Sequence, residues 1–68
     1  MNNLRSTRKE QGLNQRELAE RSHTPQSTVS ELERGVRKPW VGVVRRLSEA
    51  LNTPIQQLFP DEWERMRD

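Results

Sequence analysis

One side of a predicted helix between positions 26 and 34 is polar. At about 100° per residue, five hydrogen-bonding residues fall on this side: Gln26, Ser27, Ser30, Glu31 and Arg34. An amide both donates and accepts, a hydroxyl does either and a carboxylate accepts, so these groups can pair with base edges in a DNA major groove. They also suit an ordinary solvated helix face, and this segment by itself favours neither interpretation.

The helix that carries this face has recognisable ends. Thr24 is a potential N-cap, and Pro25 suits the first helical position, where no backbone N–H is needed. Gly35 is the residue type that most often ends a helix. A helix is therefore predicted over 25–34, and its apolar side is expected to hold Pro25, Val29 and Leu32.

A second helix is predicted just before it. Asn14 and Glu17 are spaced as in a capping box, in which each side chain bonds the other residue's backbone N–H. The helix covers 15–22, with Leu18 and Ala19 directed to the core. Since only residues 22–24 connect the two helices, they are predicted to form a tight helix–turn–helix.

Further helices are needed to complete a core. The first lies between a cap at Asn2 or Asn3 and a stop at Gly12. The fourth begins near Trp40 and ends at Asn52. Its apolar residues recur at helical spacing and are Val41, Val44, Leu47 and Leu51.

A fifth, short helix is predicted after Thr53 and Pro54, which repeat the arrangement of a cap followed by proline. Gln56 lies at its capping-box position. The residues expected to face inward are Ile55, Leu58 and Phe59. Beyond them, residues 61–68 are expected to form one more short helix or to fray.

Composition excludes several classes of protein. The chain has 68 residues, 29% of them hydrophobic, and therefore makes one small domain. Without Cys it has no disulfide and no thiolate metal site, and one His cannot by itself form a zinc site. No apolar run approaches the roughly 18 residues that a membrane span requires. We expect a cytoplasmic protein that contacts no membrane, carries no metal or cofactor and is not an enzyme.

Charge is distributed unevenly along the chain. Up to Arg46, ten Lys and Arg residues face five Glu residues, a balance of +5, whereas the remainder carries two Arg against five acids, a balance of −3. Ten of the twelve basic residues are Arg, whose planar guanidinium suits phosphates and bases. This pattern favours a polyanion partner for the basic part, although a well-solvated surface also accounts for it.

Two stretches carry a resemblance to a known family. Residues 12–19 read GLNQRELA and residues 24–35 read TPQSTVSELERG. They resemble the helix-turn-helix of the Cro/repressor (XRE) family, particularly the DNA-binding domains of lambdoid phage repressors, and the likeness extends over roughly residues 4–59. It implies an all-α, compact five-helix bundle of the lambda-repressor-like type, with helices 2 and 3 forming the helix-turn-helix. It also implies a sequence-specific double-stranded DNA-binding transcriptional regulator, of the repressor kind.

The resemblance assigns roles to individual residues. Gln26 matches the glutamine that such repressors place on an adenine edge, and Ser27, Ser30 and Glu31 take neighbouring base-facing positions. The residues matched to the DNA backbone are Arg8, Asn14, Gln15, Arg34, Arg37 and Lys38. For Asn14, the role of a plain N-cap explains its presence equally well.

Arg8 and Glu33 match an ion pair of the phage repressors. In those proteins an Arg of the first helix pairs with a Glu near the end of the recognition helix, partly buried. The pair would orient the recognition helix and leave Arg8 near a phosphate. The alternative is two independent surface charges.

His23 departs from the family pattern, which usually has Gly in the turn. That position commonly needs a positive φ, which His tolerates better than β-branched residues do. We expect modest strain and the same fold, with no metal or acid–base role for the imidazole.

The resemblance also implies an organisation. Residues 1–60 form the DNA-binding domain, followed by an acidic C-terminal segment over 61–68. The family commonly binds two-fold symmetric operators as homodimers, and the region 58–66 is the expected dimer surface. A monomer in solution that dimerises only on DNA fits the sequence equally well. Two alternatives remain: an antitoxin or accessory subunit whose acidic segment docks on a partner protein, and an adaptor that no longer binds DNA.

Overall fold

Helices account for all the regular secondary structure of residues 2–66, the part of the chain that the computed structural model describes. They are α1 (Leu4–Glu10), α2 (Gln15–Ser22), α3 (Gln26–Arg34), α4 (Val41–Leu51), α5 (Ile55–Leu58) and α6 (Trp63–Met66). The all-α prediction is confirmed. The structure has six helices where five were expected. The sixth, α6, lies in the C-terminal segment 61–68, for which the sequence allowed either a short helix or fraying. Residues 67 and 68 of that segment lie outside the described range.

The core is a single cluster to which α1 to α5 and the turn before α2 contribute. Its buried hydrophobic residues are Leu4, Leu13, Leu18, Ala19, Val29, Leu32, Val43, Val44, Leu47, Leu51, Leu58 and Phe59. Ile55 and Met66 pack against it from α5 and α6. Since Leu58 and Phe59 have no exposed surface, they cannot form part of the dimer surface expected over 58–66.

Two expected core residues are wrong. Val41 is 43% exposed, whereas Val43 is fully buried. Because α4 begins at Val41, the buried stripe starts after its first residue and includes two adjacent positions, as a broad apolar face does. Pro25 is likewise exposed, and the buried side of α3 holds Thr28 instead.

The capping box of α2 forms as predicted. The Glu17 backbone N–H donates to Asn14 Oδ1 over 2.8 Å, and the Asn14 backbone N–H donates to Glu17 Oε1 over 2.9 Å. Together these bonds satisfy two backbone donors that a helix start otherwise leaves without partners. The first residue of α2, Gln15, is thereby held in a defined position.

The two expected threonine caps are wrong. Thr24 Oγ1 donates to the Ser22 carbonyl over 3.1 Å, and Thr53 Oγ1 donates to the Leu51 carbonyl over 2.9 Å. Each hydroxyl therefore bonds the end of the preceding helix. The N-cap position falls to the following proline, because both prolines have an extended ψ, 141° and 146°, and the helical conformation starts only after them.

Two side chains fix the start of α1 to the rest of the bundle. Asn2 Oδ1 accepts from the Leu4 N–H over 3.0 Å, and Asn2 Nδ2 donates to the Leu32 carbonyl over 2.8 Å. Asn3 Nδ2 donates to the Gln57 carbonyl over 2.8 Å. A helix cap was expected at Asn2 or Asn3. The Asn3 side chain does not cap α1, and the Asn2 side chain is the one that accepts from a backbone N–H at the start of the helix.

The turn between α2 and α3 contains a left-handed residue. His23 has φ 54° and ψ 42°, and its backbone N–H bonds back to α2. The predicted positive φ is confirmed. The left-handed conformation costs a non-glycine residue about 1–2 kcal/mol, because Cβ crowds the following carbonyl oxygen. The imidazole is exposed, so this strain is not offset by burial of the ring.

We expect His23→Gly to raise the free energy of unfolding by about 0.5–1 kcal/mol, since the relief of strain exceeds the greater freedom of glycine in the unfolded chain. His23→Ala is the matched control, because it removes the ring but keeps Cβ and therefore the strain. Urea denaturation measures both variants. Equal stability of the Gly and Ala variants would contradict a strained turn.

Candidate nucleic-acid interface

The two helices of the helix–turn–helix meet through small and branched side chains. Ala19 of α2 is 7% exposed, and Val29 of α3 is fully buried. Both residues belong to the core cluster, so a larger side chain at position 19 would have to displace core neighbours. The Thr24 backbone N–H, which donates to the Ala19 carbonyl over 3.0 Å, closes the turn. These contacts leave the opposite side of α3 facing outward.

The outward side of α3 holds the polar residues that its sequence predicts. Gln26, Ser27 and Arg34 are exposed, while Ser30 and Glu31 are half-buried. The side chains of Gln26, Ser27 and Ser30 make no hydrogen bond to any residue between 2 and 66. Their donors and acceptors are therefore available to a ligand.

Arg8 of α1 and Glu33 of α3 form the expected ion pair. Arg8 Nε donates to Glu33 Oε2 over 2.6 Å, and Arg8 Nη2 donates to Glu33 Oε1 over 3.2 Å. The side chains are 8% and 2% exposed, so the prediction of a partly buried pair is confirmed. Arg8 Nη1 donates to the Leu13 carbonyl over 2.7 Å, and this third bond fixes the guanidinium to the turn before α2.

Gln15 extends this pair to a third helix. Its Nε2 donates to Glu33 Oε1 over 3.0 Å, so a single carboxylate joins α1, α2 and α3. We call Arg8, Gln15 and Glu33 the carboxylate cluster. Sequence reasoning assigned Gln15 to a phosphate and missed this contact, because no local spacing relates positions 15 and 33.

The three residues of the carboxylate cluster line a cleft of about 440 Å³. Arg5 and Arg34 also line it, and neither forms an ion pair within the described part of the chain. Because Arg8 already balances Glu33, the two remaining guanidinium groups make the cleft a place for an anion. Arg5 was not predicted, although it lies three residues before Arg8 and so on a neighbouring part of the same helix face.

The segment after α3 adds two further predicted residues. Arg37 and Lys38 are exposed. Arg37 Nη1 lies 3.3 Å from Glu31 Oε1, and its guanidinium carbon lies 5.0 Å from the centre of the Trp40 ring. Asn14, at the other end of the interface, is occupied as the N-cap of α2, which accounts for its presence without a ligand.

Two features are absent from residues 2–66, a metal-binding cluster and a membrane-spanning helix. Within that range no group of three or more His, Cys, Asp or Glu side chains is placed to hold a metal ion. None of the described helices has the length and apolarity that crossing a membrane would require.

An exposed helix held across a second by a tight turn is the geometry of a helix-turn-helix, and comparison with known proteins agrees. The helix-turn-helix family model matches residues 4–58. The chain therefore belongs to the XRE-type helix-turn-helix family, a family of DNA-binding transcription regulators, and the resemblance of its sequence is confirmed.

Curated relatives belong to the same class. The chain is 38% identical over 56 residues to the competence pilus inhibition repressor of Acinetobacter baylyi, covering 82% of this chain and 51% of that protein. It is 33% identical over 72 residues to an uncharacterised HTH-type transcriptional regulator of Mycobacterium tuberculosis, covering 96% and 51%. A regulator of this type from Sinorhizobium fredii is 40% identical over 52 residues, covering 76% and 26%. The chain thus spans about half the length, or less, of the relatives that it matches.

Removing Glu33 tests the carboxylate cluster. Glu33→Ala leaves the Arg8 guanidinium buried without its counter-charge, so we expect the free energy of unfolding to fall by about 3 kcal/mol. Arg8→Ala should cost much less in the Glu33→Ala background than in the wild type, which gives a coupling above about 1 kcal/mol in a double-mutant cycle.

The exposed pair of Glu31 and Arg37 is the matched control, with a coupling expected below about 1 kcal/mol. Both cycles are measured by urea denaturation. If the effects of Arg8→Ala and Glu33→Ala add to within about 0.5 kcal/mol, the two charges act independently and the cluster does not fix the helices.

Proposed function

We propose that the chain is the sequence-specific DNA-binding part of a transcriptional repressor, and that α3 reads base edges in the major groove of double-stranded DNA. The free hydrogen-bonding capacity of Gln26, Ser27 and Ser30 on the outward side of α3 supports this proposal most directly, and exposed cations lie near that helix. Arg5 and Arg34 line the cleft. Arg37 and Lys38 lie beyond the end of α3.

Base recognition falls to the residues on the outward side of α3. The Gln26 amide can donate to N7 and accept from N6 of one adenine. Ser27 and Ser30 have hydroxyls that donate or accept as the base requires. Glu31 Oε1 accepts a hydrogen bond from Arg37, and Glu31 Oε2 bonds no described residue. Oε2 can therefore accept from cytosine N4. A carboxylate also repels phosphate, so Glu31 contributes selectivity more than affinity.

Backbone contacts fall to the residues around α3. Gln15 keeps its amide oxygen and one N–H free of described partners and lies at the N-terminus of α2, where the helix dipole favours an anion. Arg34, Arg37 and Lys38 supply charge, and Asn14 lies beside Gln15. These contacts position the protein on DNA and make its affinity depend on salt.

Arg8 has a different place in this proposal. Its side chain is 8% exposed, and three of its five N–H groups already have partners. It still lines the cleft between Arg5 and Arg34. We therefore assign it an indirect part in phosphate binding: Arg8 holds the Glu33 carboxylate, and that carboxylate accepts from Gln15, which meets the phosphate.

Repression and dimerisation are parts of the same proposal. One relative is named as a repressor. A protein that occupies the major groove of an operator can repress transcription by blocking access to that DNA. Two copies bound to half-sites about one helical turn, roughly 34 Å, apart would contact one face of the duplex. The longest dimension of the described chain is 30 Å, which fits this spacing. Within the chain we take 1–60 as the DNA-binding unit and 61–68 as an appended acidic segment.

The sequences selected from a pool of random duplexes test base reading by α3. We expect Gln26→Ala to lose about 1–3 kcal/mol on the best wild-type site and to relax the preference at one base pair per half-site. Glu31→Gln should change the preferred base at a different position, because an amide also donates. The measurement compares the selected sites of the three proteins at one salt concentration.

Lys38→Ala is the control for this experiment. It removes a phosphate contact, so we expect weaker binding to every duplex and an unchanged selected sequence. Identical selected sequences for the wild type, Gln26→Ala and Glu31→Gln would mean that α3 does not read bases.

A further inference from the structure

Arg37 lies between two side chains that come from different elements. Its Nη1 is 3.3 Å from Glu31 Oε1 of α3, and its guanidinium carbon is 5.0 Å from the centre of the Trp40 ring. Trp40 is 40% exposed, an unusual position for so large an aromatic side chain, and the hydrophobic core does not include it. Within residues 2–66, the contact with Arg37 is the one interaction with a charged or aromatic group that this indole makes.

The position of Trp40 is itself well defined. Trp40 is the N-cap residue of α4, and its carbonyl accepts from the Val44 N–H over 3.0 Å. Its ring lies along the first turn of α4. A Cβ at Gly42 would meet the indole Cδ1 and Nε1 at 3.6 Å, which is ordinary van der Waals contact. The indole thus lies over Gly42 at the start of α4, where the absence of a side chain leaves room for it.

Neither contact of Arg37 is strong by itself. The side chains of Arg37 and Glu31 are 50% and 37% exposed, and exposed ion pairs contribute little to stability because water screens them. A guanidinium over an exposed aromatic ring gains modestly as well. Together, however, the ion pair and the ring contact restrict the Arg37 side chain from two sides. A long side chain that is already ordered loses less conformational entropy when it binds a ligand.

The restriction leaves the guanidinium able to bind an anion. An arginine has five N–H donors, and Arg37 gives one of them to Glu31 and none to any other described residue. Its remaining donors can bind a phosphate group in the bidentate geometry that arginine favours, with two parallel N–H···O bonds.

We propose that Trp40 is a positioning residue of the DNA interface: its indole and the Glu31 carboxylate hold Arg37 in advance in the orientation that meets a backbone phosphate. This inference rests on the proposed function. Trp40 acts through Arg37 and does not touch the DNA. A lysine in place of Arg37 would keep the charge but lose both the stacking and the paired donors.

A double-mutant cycle in DNA binding tests this role. Trp40→Leu keeps an apolar side chain but removes the aromatic face. We expect it to weaken binding to the selected duplex about two- to tenfold in the wild-type background, the cost of ordering one long side chain. In the Arg37→Gln background the same substitution should change affinity by less than about 1.5-fold, because no guanidinium remains to be oriented. Trp40→Phe should restore most of the lost affinity.

Two controls accompany the cycle. Val41→Ala truncates a neighbouring exposed apolar residue and should show no coupling to Arg37. The thermal midpoint of each variant should stay close to that of the wild type, since neither Trp40 nor Arg37 belongs to the core.

The outcomes separate this inference from the proposed function. Equal losses from Trp40→Leu in both backgrounds, or no loss in either, overturn the positioning role while leaving DNA binding intact. A wild-type chain that selects no duplex at all overturns both.

Discussion

The carboxylate of Glu33 is the point on which the arrangement of the first three helices depends. It accepts from Arg8 of α1 and Gln15 of α2 and is 2% exposed. Moving α1 or α3 would separate two buried charges, which costs far more than a surface pair gains, and moving α2 would remove the Gln15 hydrogen bond to the same carboxylate. The cluster thereby fixes the rotation of α3 about its own axis, and hence which residues face outward.

The outward side of α3 follows from that constraint together with the core. Val29 and Leu32 are buried, so the residues on the other side of the helix cannot turn inward. The left-handed conformation of His23 allows the turn between α2 and α3 to be short. A short turn and a fixed rotation make the polar face rigid, and rigid side chains lose less entropy when they meet a ligand.

Local sequence signals predicted most of the helices, and the resemblance to phage repressors predicted the ion pair of Arg8 and Glu33. Caps, prolines and glycines placed most helix ends to within about two residues, the usual accuracy of such boundaries. The sequence did not reveal the bond between Gln15 and Glu33 or the contact of Arg37 with Trp40, because tertiary packing brings these residues together. Val41 was wrongly expected in the core, because helical spacing shows how often buried residues recur but not at which residue the buried face begins.

An NMR titration of the isotope-labelled chain with its selected duplex shows directly whether the outward side of α3 meets the bases. We expect the largest chemical-shift changes on the side-chain amide of Gln26 and on the backbone of α3. The Gln15 side-chain amide should shift as well, while α6 stays nearly unchanged. Large changes confined to α6, with α3 unaffected, would mean that α3 does not meet the DNA and that the chain uses its C-terminal segment instead.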